Sequence, residues 1–150
     1  MREILFKAKR IDNGEWIEGN LVFLFPKKVH EAFIIPIKFG NAFMQLREGD
    51  LGFRYWYKVD KETLCQFTGL CDKNGNKIWE NDIFQCTDET MVTQKDLIEY
   101  NETHASFVRL RNTEKLGLQY LWIDEATCNH GEVVGNIFDN PELLQEESDE

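Results

Sequence analysis

Apolar and polar side chains alternate along most of this chain, and that two-residue period constrains it to strands rather than helices. In "EILFKAKRI", residues 3–11, Ile4, Phe6 and Ala8 fall on one face, and Lys7 and Lys9 fall on the other. The "DNGE" that follows carries Asn13-Gly14, a pair that tolerates the positive φ of a tight turn. "WIEGNLVFLF" then runs back, which predicts a hairpin of 3–11 with 16–25. "AFIIPIKF" reads as a further strand; Pro36 has no N–H to donate, so the strand should lie at an edge or break there. Residues 40–52 read as irregular or as a short strand between turns, and "FRYWYKV" is rich in β-formers.

The densest pattern is "LCQFTGLCDKNGNKIWENDIFQC", residues 64–86. The preceding Asp60 can cap a single 3₁₀ turn. "CQFTGL" is a strand. "DKNG" at 72–75 is a turn in which Asp72 can accept from backbone amides ahead of it, with Asn74-Gly75 supplying positive φ. Glu80-Asn81-Asp82 forms a second tight bend, with Asn81 at positive φ, before the strand "DIFQCT". Further strands are predicted at 95–100, 104–111, 116–123 and 132–138. Residues 64–138 therefore read as a small, strongly bent antiparallel barrel or roll. In "DNPELLQEESDE", Asn140 can cap a short helix, Pro141 fits its first position, and Leu143 and Leu144 would pack it down before an acidic tail.

Charge narrows the function classes. The chain has 17 Lys and Arg against 27 Asp and Glu, a net −10, and the balance is graded: +1 over residues 1–50, −3 over 51–100 and −8 over 101–150. Phosphate backbones are held by clustered cations, so duplex DNA is not an expected partner. Lys7, Lys9 and Arg10 sit beside Glu3 and Asp12, and Lys27-Lys28 is a lone pair. "MREILFKAKR" leads into no apolar targeting segment, and no run approaches the ~20 apolar residues of a membrane span. A cytoplasmic protein with reduced thiols is expected.

Candidate chemistry is weighed against structure at each place. Cys65, Cys71, Cys86 and Cys128 match no common zinc spacing; a site from Cys65, Cys71, Cys128 and His130 is weaker than packing or surface thiols. His30, His104 and His130 sit in no motif that makes one a general base, and a Cys128–His130 nucleophile pair two residues apart in a strand is not expected to be mutually aimed. Glu80 and Asp82 suit a paired-acid reading less well than a turn, where Asp82 bonds the backbone. No phosphate-binding glycine loop occurs. "RYWYK" at 54–58 sets Tyr55, Trp56 and Tyr57 beside two cations, a face that could stack bases; alternation sends Tyr55 and Tyr57 one way and Trp56 the other, so half of the set should be core.

Three ordered segments carry a family likeness: "MREILFKAKRIDNGEWIEGNLV", "VDKETLCQFTGLCDKNGNKIWENDI" and "GEVVGNIFDNPELL". Together they resemble the YopX family of phage and prophage proteins. The resemblance implies a β-rich N-terminal part, a C-terminal SH3-like barrel or roll and a phage or prophage origin; it carries no activity. The chain departs from the family pattern in three places: Asn81 replaces the usual glycine of the bend, Lys61 a proline, and Cys71 a polar residue. Asn tolerates positive φ best after Gly, so the bend should survive.

The sequence reading is thus a mainly β protein: a β-rich part over 1–60, an SH3-like barrel or roll over 61–140, and a short helix with an acidic tail over 141–150. The resemblance implies a phage or prophage accessory protein, and the expected role is a non-enzymatic interaction module with no catalytic, cofactor or metal residue assigned. Its partner is a phage or host protein, and a homo-oligomer is left open. The alternatives are nucleic-acid binding on the SH3-like part and an acidic mimic of DNA that occupies a host protein.

Overall fold

The computed structural model describes residues 3–24, 31–37, 43–47, 50–53, 55–87, 91–113 and 116–145, with backbone alone at 43–47 and 50–53. His30, Lys27, Lys28 and the acidic tail lie outside these residues. The chain divides into two compact units, Met1–Gln66 and Phe67–Glu150. Both are built from antiparallel strands, so the mainly β reading holds. No described helix is long and apolar enough to cross a membrane.

In the first unit, β1 (Phe6–Lys9) and β2 (Trp16–Leu24) form the expected hairpin, with Lys9 opposite Trp16 and Phe6 opposite Gly19. Gly14 alone supplies the positive φ of the turn, at 73°; Asn13 contributes its side-chain oxygen, which accepts from the Glu15 amide at 3.0 Å. β3 (Glu31–Pro36) pairs with β2 on one side and β6 (Tyr57–Val59) on the other. The strand breaks at Pro36, as its missing donor demands, yet it is an interior strand and not an edge. Between them, β4 (Phe43–Arg47) and β5 (Asp50–Phe53) make a separate two-stranded pair. Ala8, Ala32, Ile34 and Val59 form the core, with Phe6, Ile17, Leu21 and Leu64 packed around it. Asp60 caps the 3₁₀ turn Lys61–Thr63 by accepting from the Glu62 amide at 3.0 Å. β7 (Cys65–Cys71) opens in this unit, where Cys65 and Gln66 pair with β1, and continues past its boundary.

In the second unit, β7 pairs with β8 (Lys77–Trp79). A five-stranded sheet follows, from β9 (Asp82–Thr87), β10 (Thr93–Asn101), β11 (Ser106–Thr113), β12 (Gly117–Trp122) and β13 (Gly131–Asn136). Its order is β12-β11-β10-β9-β13, so the last strand inserts beside the first. The end strands β12 and β13 do not pair, and among the described residues the expected barrel is not closed. Ile78, Phe84, Ile98 and Cys128 make the core, with Leu70, Cys86, Ile123 and Val133 against it. Cys128 reaches it from α1 (Glu125–Cys128), a single helical turn not expected from the sequence; Asp124 caps it by accepting from the Thr127 amide at 2.8 Å. The C-terminal helix is a 3₁₀ turn, Pro141–Leu144. Asn140 makes no side-chain cap there, in contrast to its expected role, and instead sits against Gly135, where an added Cβ would lie 2.6 Å from its Oδ1. Leu143 packs down at the same place, but Leu144 stays exposed.

The bend before β9 is as anticipated. Asn81 has φ 67°, its N–H donates to Ile98 at 2.7 Å, and its carbonyl accepts from Ile137 at 3.0 Å. Those two backbone bonds fix the conformation whatever the side chain. Asn81→Val should therefore destabilise by about 1–2 kcal/mol, since its Cβ branch crowds a left-handed backbone, whereas Asn81→Gly should be neutral or stabilising. Thermal melts of the two variants check this; coincident midpoints would refute it.

Candidate functional site

The central stretch resolves as scaffold. Asp72 Oδ1 accepts from the amides of Asn74 and Asn76, both at 2.9 Å, and Oδ2 accepts from the Val133 amide at 3.0 Å. Gly75, at φ 81°, closes the turn. Burial alone would raise the Asp72 pKa, but the bonds from Val133, Asn76 and Asn74 outweigh it and hold the carboxyl below its usual range. Asp82 is buried and its Oδ2 accepts from the Trp79 amide at 2.8 Å. Of the Glu80 and Asp82 pair, Asp82 thus bonds the backbone of the bend, as a turn carboxylate does.

The cysteines and histidines are dispersed in role. Cys65 is buried in the first unit; in the second, Cys71 is exposed and Cys128 buried. Burial pushes the Cys128 thiol up to about 11, so it is not a ready nucleophile. His130 Nδ1 lies 2.8 Å from the Ala126 carbonyl, and His104 Nδ1 lies 3.1 Å from Asn101 Oδ1. Cys128 is on a helix, not on a strand with His130 as the sequence reading had it. Among the described residues no group of three or more His, Cys, Asp or Glu is placed to hold a metal.

The aromatic run at 55–57 departs from expectation. None of the three is core: Trp56 is exposed and stacks on Phe33 at 5.5 Å, Tyr55 is exposed, and Tyr57 is half-buried beneath the Arg10 guanidinium, 4.1 Å from its ring centre. Arg10 also pairs with Asp12 and, by its hydrogen bond, holds that carboxyl below the usual range. Beside it, Lys7 and Lys9 lie 5.2 and 5.4 Å from the Trp16 ring centre. Arg10, Trp16, Ile17, Pro36 and Tyr57, with Glu15 and Glu18, line an open cavity of about 240 Å³. Its lining sets one base against two acids, and the unit as a whole has 11 basic and 9 acidic residues, a net +2. The remaining 6 basic and 18 acidic residues give the second unit −12.

An exposed apolar row on β12 was not singled out by the sequence. Leu118, Tyr120 and Trp122 alternate along β12 and are 56, 53 and 68% exposed. Residues directly opposite in a sheet share a face, so Tyr120, Leu110 and Leu97 form one row and Trp122 and Val108 another. The other face of the same sheet holds Asp96, fully buried, with Arg109 Nη1 at 3.0 Å and Arg111 Nε at 2.6 Å. The segment "GLQYLW" contains no charge and no proline.

These features define a two-unit antiparallel β protein in which Asp72, Asp82 and Asp96 serve turns and core and in which β12 carries a row of exposed apolar side chains. The family described as YopX protein matches residues 37–145, and the chain belongs to it. The crystal structure of protein EF1440 from Enterococcus faecalis is similar in fold, with a TM-score of 0.57 and 23% identity over 97% of this chain and 100% of that one. No curated protein matches the chain.

Proposed function

We propose that the chain is a non-enzymatic interaction protein of phage or prophage origin, acting in the cytoplasm of a bacterial host by docking a protein partner on the face of β12. The exposed row Leu118, Tyr120 and Trp122 is the observation that carries this reading. Large apolar groups contiguous on one strand face are rare on a surface without a partner, and Tyr and Trp are the usual anchors of protein interfaces. The buried carboxylates Asp72, Asp82 and Asp96 are all engaged in structural bonds, which favours a binding role over catalysis. The test is capture from host lysate on the immobilised chain, read by mass spectrometry, with Trp122→Ser alongside. A host or phage protein should be retained by the original chain and lost by the variant; equal recovery from both would refute the docking face.

A second reading, single-stranded nucleic acid on the first unit, is favoured by the Lys7, Lys9 and Trp16 cluster next to Arg10 on Tyr57. The unit's +2 balance permits what the −12 unit would oppose. Fluorescence anisotropy with single-stranded and duplex oligonucleotides decides it: single-strand binding lost on Trp16→Ala supports it, and no binding at low salt removes it. An acidic mimic of DNA remains the third reading, resting on the −12 unit alone.

A further inference from the structure

We propose that β12 pairs antiparallel, edge to edge, with β12 of a second copy of this chain, about a two-fold axis at Tyr120. The inference rests on the reading of β12 as the docking strand and names the occupant of its edge.

A strand at the end of a sheet presents outward N–H and C=O groups on alternate residues, and proteins protect such edges with charge, proline, bulges or covering loops. The other end of this sheet is protected in those ways. β13 carries Glu132 and a register shift between Val133 and Gly135. The Val133 amide is taken by Asp72, and the Gly131 carbonyl accepts from the Lys73 amide at 3.0 Å. In the first unit, β6 is three residues long, and the Lys58 carbonyl accepts from Ile11 at 3.1 Å. β12 is different. It runs for six residues without charge, proline or bulge and, although its Trp122 carbonyl accepts from Arg109 Nε at 3.1 Å, no described strand pairs with its outer side.

The side-chain order of β12 selects a second copy. With Tyr120 opposite its own counterpart, an antiparallel register sets Leu118 against Trp122 on the same face, and Gln119 against Leu121 on the other. Every apolar group on the exposed face then meets an apolar group, with no charge at the seam. Aromatic and aliphatic cross-strand pairs of this kind are the stabilising unit of a sheet. A two-fold contact uses the same patch twice, so it closes at two chains. The pairing also doubles the apolar row into one continuous face of six large side chains, which suits the docking role above. A basic foreign partner would find no carboxylate along this edge to pair with. The opposing force is the repulsion of two chains at −10 each, which salt screens. Association should therefore strengthen as salt rises, whereas a complex with a basic partner would weaken.

The experiment is light scattering coupled to size exclusion on the full chain at low and high salt, with Tyr120→Lys and Tyr120→Phe. The expected result is twice the chain mass, a dimer fraction that grows with salt, a dimer for Tyr120→Phe, and a single-chain mass for Tyr120→Lys at concentrations where the original chain pairs. Tyr120 is half exposed, so Tyr120→Lys should keep its circular dichroism. If that variant fails to fold, hydrogen exchange on the original chain decides instead: amides of Gly117–Trp122 should exchange more slowly as concentration rises. A single-chain mass at both salts, a mass of three chains, a dimer lost at high salt, or concentration-independent exchange would overturn the pairing. Capture of a host protein by a strictly monomeric chain would overturn this inference while leaving the docking reading intact; a dimer that captures nothing would do the reverse.

Discussion

Asp96→Ala is expected to destabilise the second unit by about 3–5 kcal/mol, because it strands charges that the carboxylate now satisfies. Asp96 is fully buried; Arg111 reaches it through Nε at 2.6 Å and Nη2 at 2.9 Å, and Arg109 through Nη1 at 3.0 Å. The two guanidiniums are 14 and 19% exposed, so neither is bathed in solvent that could replace the lost partner. Arg109 Nε also donates to the Trp122 carbonyl at 3.1 Å, which ties this ion cluster to β12. Asp96→Asn keeps the shape and part of the hydrogen bonding and should lose less. Chemical denaturation followed at Trp79 and Trp122 fluorescence measures both. A loss below about 1 kcal/mol for Asp96→Ala would mean that the arginines relax to solvent and that the triad is a surface pair in energetic terms.

Gly19→Ala is expected to destabilise the first unit by about 3 kcal/mol, the upper end of the usual range for overpacking. An added Cβ would stand 2.0 Å from the Ile35 carbonyl oxygen and 2.9 Å from the Pro36 Cα. Those atoms are backbone, and β3 is held by pairing on both its sides, so it cannot step aside as a side chain would. Gly14→Ala makes a useful contrast: nothing lies within 4 Å of its Cβ, and only its φ of 73° penalises the change. Thermal melts should rank Gly19→Ala well below Gly14→Ala. The reverse order would show that β2 and β3 separate without loss.

Turn chemistry was the most legible part of this sequence, because it is local. Asp60 and Asp72 each accept from amides two to four residues ahead, and Asn81 takes the positive φ of its own bend, each as its residue type requires. The hairpin and the later strands followed from alternation for the same reason. What failed was whatever depends on which face of a strand is inside. Alternation marks "GLQYLW" as a strand without saying which face is inside; the sheet buries the face of Asp96, Arg109 and Arg111 and leaves Leu118, Tyr120 and Trp122 outside. A mutually satisfied ion cluster can be buried where pattern rules expect apolar groups, and only the pairing register reveals it. Barrel closure was equally illegible, since short strands with tight turns suit a closed and an open sheet alike. The helical turn at Glu125–Cys128 had a signal in the cap Asp124 followed by Glu125, but four residues are too few for a period to show. In the aromatic run, Trp56 owes its place to Phe33, more than twenty positions away, which no local rule supplies.

The insertion of β13 beside β9 has a consequence for synthesis. β10 follows β9 within a few residues and covers one side of it at once. The other side waits for Gly131–Asn136, which the ribosome delivers roughly 2–9 s later at about 5–20 residues per second. Throughout that interval "DIFQCT", with Ile83 and Phe84 destined for full burial, is an open template beside other nascent chains. The bond from the Val133 amide to Asp72 forms only when β13 arrives, so it latches that strand 61 residues after Asp72 has been made.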